Sequence, residues 1–203
     1  MQVALPQLEA PAKIAFGAGQ RFDDDAFFAF CVSNPDLRIE RTSKGEIVIV
    51  PPAGGESSYQ TGLACEQLIR WARRDRRGKA FDSSGAFMLP SGASYAPNAA
   101  WVSNEKLAQL TREQRRKFLA LVPEFVIEVM SPSDRLSKAK ARARQWIDEG
   151  VELAWFIDGD KKTAYIFRRG RDPEVKAAVD ELAGDGPVKG FVLKLGEIWA
   201  GLG

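Results

Sequence analysis

Histidine is missing from all 203 residues, which removes Ser-His-Asp chemistry, histidine-liganded zinc hydrolysis and imidazole proton transfer. Cysteine is nearly as scarce. Cys31 and Cys65 sit in apolar segments and are too few for a disulfide framework or a cysteine-rich zinc site, so both read as buried thiols. No run of about eighteen apolar residues occurs, and the first residues lack the charged-then-apolar order of a signal peptide. No membrane span is expected, and the cytoplasm is the expected compartment. Gly54 and Gly55 follow two prolines without the Lys-Ser/Thr of a nucleotide-binding P-loop, and so mark a turn. A large excess of either charge is also missing: 29 basic against 27 acidic residues leave a net charge of +2. Basic residues therefore matter only where they cluster. With no linker-like stretch, one domain over residues 1–203 is expected, carrying an irregular arm at 1–20.

Any catalysis is left to carboxylates, amides and cations. Asp23 to Asp25 in the first turn of DDDAFFAFCVSN suit a short helix. LRIERTS and EIVIV flank a KG turn as a hairpin. The long pattern from Ser57 or Ser58 to Gly78 reads as a helix capped by serine and stopped by glycine. AFDSSGAFML and PNAAWVS read as neighbouring strands, and Thr111 with Gln114 has capping-box spacing. EFVIEVM is a strand followed by the turn SPSD, then by a helix ending at Gly150. VELAWFID and TAYIFRR form a second hairpin. The order suits an α/β or α+β fold with a sheet flanked by helices.

Glu128 stands inside FVIEVM, where a charge needs a partner or a cation to offset desolvation. An arginine partner and a bound cation satisfy that demand equally well. Asn98 opens a strand after Pro97, and its amide oxygen suits either a shared cation with Glu128 or a turn backbone. The helix that follows carries Arg135, Lys138, Lys140, Arg142 and Arg144, with Lys138 and Arg142 on one face and Leu136, Ala139, Ala143 and Trp146 as its apolar stripe. Such a row suits phosphates or a solvated face. Arg70, Arg73, Arg74, Arg76 and Arg77 form a second cluster around Trp71, and Arg112, Arg115, Arg116 and Lys117 a third. Arginine in these clusters favours forked phosphate contacts, with no pattern that reads bases.

Taken together, RIER, GEIVIVPPAGGE, FDSSGAFMLPSGASYAPNAAWV, PEFVIEVMSPSDRL, QWIDEGVELAWFIDGDKKTAYIFR and GFVLKL resemble the Uma-two family of restriction endonucleases over about residues 22–200. The resemblance implies a PD-(D/E)XK restriction-endonuclease-like fold with a central mixed sheet, one Mg²⁺ or Mn²⁺ site, and DNA as substrate. It assigns Glu128 to the metal-binding glutamate and Glu40 to a further acidic position. Asn98 stands where the family has aspartate, and Arg142 where it has lysine. Glu56 and Asp82 are candidates to replace the missing carboxylate, and Lys138 to replace the missing lysine. Phosphate contacts are expected from Arg135, Lys138, Lys140, Arg142, Arg73 and Arg74. The implied activity is metal-dependent endonucleolytic hydrolysis at an altered site, set against nucleic-acid or protein binding without cleavage. A homodimer is compatible with either.

Overall fold

Hydrophobic alternation and helical periodicity account for most elements of the chain. The computed structural model describes residues 12–14, 22–131 and 135–203. In order, these form β1 (Ala12–Ile14), α1 (Asp24–Val32), β2 (Arg38–Arg41), β3 (Ile47–Val50), α2 (Gly55–Asp75), β4 (Gly78–Asp82), β5 (Phe87–Met88), β6 (Ser94–Tyr95) and β7 (Ala99–Ser103). There follow α3 (Asn104–Ala108), β8 (Phe125–Val129), α4 (Leu136–Asp148), β9 (Leu153–Asp158), β10 (Thr163–Arg168), β11 (Glu174–Ala177), β12 (Glu181–Ala183), β13 (Val192–Lys194) and α5 (Leu195–Ala200). Two compact units result. The first comprises residues 1–52, 86–96 and 111–121, and the second residues 53–85, 97–110 and 122–203.

The first unit is a sheet in the order β1-β3-β2-β6-β5. The expected hairpin is β2 and β3, paired antiparallel with Glu40 opposite Val48. Asp23 caps α1 by accepting from the Ala26 N–H at 2.8 Å, so the acidic start does act as a helix signal. Phe27 and Phe30 from that helix pack with Ile39, Ile47, Ile49 and Met88. Arg41 is buried in this unit, and its guanidinium donates to the carbonyls of Gly92 and Phe22 and pairs with Asp24. Of the N-terminal arm, only β1 lies within the described residues, and it pairs with β3.

The second unit is a mixed sheet in the order β11-β10-β9-β8-β7-β4. Only β8 and β9 run parallel, and the other pairs in this order are antiparallel. Phe125, Ile127 and Val129 of β8 join Ala64 and Leu68 of α2 in one core, together with Trp155 and Phe191, whose rings stack at 5.7 Å. The second expected hairpin is β9 and β10.

Three local readings differ in detail. The cap of α2 is Gly54, without a side-chain bond, and its end is Arg76 in the left-handed region at φ 65°. Ser57 lies inside the helix instead, and Gly78 lies past its end as the first residue of β4, where a Cβ would come within 2.5 Å of the Trp101 ring. AFDSSGAFML is not one strand: its first half is β4, in the second unit, and Phe87–Met88 is β5, in the first. Thr111 and Gln114 exchange both capping-box bonds but head only a single 3₁₀ turn, Gln114–Arg116. The SPSD turn falls largely on residues 132–134, outside the described residues.

Candidate active site

Period-two alternation on β8 decides where Glu128 points. Its neighbours Ile127 and Val129 join the core shared with α2, so Glu128 faces the opposite side, toward α4. There the indole N–H of Trp146 donates to Glu128 Oε1 at 2.9 Å. The Nε of Arg142 stands 3.7 Å from the same oxygen. Arg142 and Trp146 are four residues apart and share a helix face, and the guanidinium lies 5.5 Å from the indole ring centre. The Glu128 side chain is 14% exposed, so a charge with little hydration is met by an N–H donor and a cation.

Asn98 reaches Glu128 through its backbone, with its N–H donating to Oε2 at 3.4 Å. Its side-chain oxygen turns to β8 and accepts from the Val129 N–H at 2.8 Å. Asn98 thus extends the pairing of β7 with β8 by one step, the amide taking the place of a main-chain acceptor. The structure thus brings a carboxylate and an amide oxygen together here, and both suit a hard cation.

The other candidates are distributed more widely. Lys138 and Arg135 are exposed on and before α4. Lys140 turns to β10 and lies 5.3 Å from the Tyr165 ring centre. Asp82 ends β4 opposite Ala99 and accepts from the Ser84 N–H at 3.0 Å. Glu56 accepts from Gln60 at 3.3 Å and from the Leu202 N–H at 3.4 Å. Glu40 belongs to the first unit, where it is buried and accepts from the Ala96 N–H at 3.4 Å. Among the described residues, no three acidic or cysteine side chains gather as a metal-binding group. Arg73 and Arg74 line a cleft of about 770 Å³ along α2, which also touches Cys65, Asp82 and Asn98. Burial, aided by the charge of Asp82, pushes the Cys65 thiol up, so it is a poor nucleophile at neutral pH.

Trp146 is the participant that sequence patterning placed only in the core stripe. A usable signal was present: a buried indole N–H needs an acceptor, and Trp146 lies one helical turn from a cation that itself needs a carboxylate.

Comparison with known proteins places the fold and the family. The fold matches the crystal structure of a "putative nuclease belonging to DUF820" from Anabaena variabilis, with a TM-score of 0.68 at 18% identity, covering 81% of this chain and 91% of that one. No curated protein matches the sequence. The profile of the Uma2 family, described as "Putative restriction endonuclease", matches residues 24–196, and with that span the chain belongs to the Uma2 family of nuclease-like α+β proteins.

Proposed function

We propose that this protein is a divalent-cation-dependent endonuclease acting on DNA, with Glu128 and Asn98 holding one ion and Arg142 steadying a phosphate. The observation that carries the reading is the fixed carboxylate of Glu128, held by Trp146 at 2.9 Å beside Asn98. Glu128 contributes one negative charge. The Asn98 oxygen has a second lone pair beyond its bond to Val129. Mg²⁺ accepts few protein oxygens and retains several waters, so this pair fits such an ion, with weaker hold than two carboxylates would give. When bound, Mg²⁺ or Mn²⁺ supplies Lewis-acid polarisation of a phosphoryl oxygen and acidifies water.

The chain's own groups do the rest. Arg142 forks onto a phosphate oxygen but stays protonated, so it orients without accepting a proton. Lys138, one turn away on the same helix, is the lysine that shares the face of Arg142 in the sequence pattern. Arg135, Lys140, Arg73 and Arg74 supply backbone contacts that fix position but not sequence. The family match crosses both compact units, which supports reading residues 1–203 as one functional domain. DNA as substrate and two unpaired thiols favour a cytoplasmic setting.

A second reading has its own support. The guanidinium of Arg142 already faces the carboxylate at 3.7 Å, competing with any incoming cation, which favours nucleic-acid binding without cleavage. Cleavage of supercoiled plasmid in Mg²⁺ or Mn²⁺ separates the two. Nicking that is lost in Glu128→Ala supports the endonuclease. Nicking only by the double variant Asn98→Asp, Arg142→Lys supports binding alone, and no nicking by either removes the catalytic reading.

A further inference from the structure

Gly62 lies near the middle of α2, where glycine costs about 1 kcal/mol relative to alanine. Packing does not require it: a Cβ at Gly62 would meet nothing within 4 Å. The residue is exposed and lines the 770 Å³ cleft. A side chain is missing where it would stabilise the helix, clash with nothing and narrow that cleft.

The rest of the cleft gives the ligand's chemistry. At its far end Arg73 and Arg74 are exposed, and no side-chain partner engages either one among the described residues. The neighbouring Arg70 differs, being paired with Glu66 at 2.8 Å. From Ser58 to Arg74 the helical wall runs roughly 24 Å, several nucleotides of one strand at about 3.4 Å each. No aromatic side chain lines it, so it offers no platform for stacked bases. Two forked cations without a side-chain partner among the described residues, at one end of a long wall of mixed character in which Ser58 and Thr61 accompany Cys65 and Ile69, match a sugar-phosphate backbone read without regard to sequence. Asp82, at the Asn98 end, opposes phosphate there and leaves the arginine end as the anchor.

We infer that this cleft is a track for the DNA backbone, with Gly62 giving the strand its closest approach to α2 and Arg73 with Arg74 holding phosphates away from Asn98. The inference rests on the endonuclease reading for its substrate class. Its test is independent of cleavage: fluorescence anisotropy with a labelled random-sequence duplex in EDTA, over a range of salt. Arg73→Ala with Arg74→Ala should weaken binding and reduce the slope of log K against log salt by about 2. Gly62→Leu should weaken binding at least about tenfold, since side-chain bulk replaces a phosphate contact of that order, while its thermal midpoint stays at or above that of the wild type. Wild-type binding by Gly62→Leu overturns the track even if the arginine pair matters. Weakened binding with a lowered midpoint also counts against it, unless Gly62→Ala, which keeps the cleft open, binds as the wild type does. Normal binding by every cleft variant of a protein that nicks plasmid defeats this inference alone, whereas cleft-dependent binding without nicking defeats only the catalytic reading.

Discussion

An indole N–H that hydrogen-bonds to a carboxylate in a nearly closed site restricts that carboxylate more than a charge alone can, because the bond is directional. Trp146 is fully buried, so removing its donor leaves Glu128 Oε1 poorly satisfied at a cost of about 1–3 kcal/mol. Trp146→Phe, which keeps a ring beneath Arg142, should lower the thermal midpoint by roughly 2–4 °C per kcal/mol. In a Glu128→Ala background the same change should cost much less, and equal losses in both backgrounds would remove Trp146 from the site. Glu128 was legible because a charge within an apolar strand demands an explanation, and Asn98 because it follows Pro97. Trp146 was not, because periodicity marks a buried aromatic as core and says nothing of where its N–H points. Cys31 makes a separate test. Burial raises its thiol to about 11 from 9.0, with Arg41 pulling the other way. The unfolded thiol ionises first, so its contribution is full below about pH 9 and is lost between there and 11, by less than the full linkage slope because solvent reaches this half-buried group. Chemical denaturation across that window should show a shallower decline for Cys31→Ala than for the wild type.

At the scale of elements, local signals found the hairpins, β8 and the helices, since each follows its own hydrophobic period. They missed how AFDSSGAFML divides, because β4 is fixed by pairing with β7 and β5 by pairing with β6, and such long-range partners leave no local mark. The same holds for the glycine after α2. Gly78 read as a helix stop, yet its need for no side chain comes from the Val102 carbonyl, 2.4 Å from where a Cβ would sit. Gly78→Ala should therefore cost about 1–3 kcal/mol by overpacking. A melting curve unchanged from wild type would mean that β4 yields to accommodate the methyl group. At the other edge of the same sheet, all four residues of β11 are exposed, and Lys176 pairs with Glu174 two residues back on the same strand at 2.7 Å. A short edge with a central lysine discourages pairing with another chain.

For the whole molecule, the near balance of charge, +2 overall, makes the proposed DNA binding depend on local arginines, so affinity should fall with salt at the modest slope of a few phosphate contacts. On the endonuclease reading, the stoichiometry of cutting follows from the site. Each chain carries one Glu128. On that reading, one chain with one such site cuts one strand at a time. A monomeric enzyme should convert supercoiled plasmid to open circles first, with linear product appearing only after a lag and with a rate proportional to protein concentration. A homodimer presenting two sites should give linear product without that lag and with a steeper concentration dependence. The blunted β11 edge argues for the monomeric course. Following both products over time with the Asn98→Asp, Arg142→Lys variant, whose restored charge and lysine should raise the rate, decides between them. Immediate linear product would require an interface elsewhere on the chain.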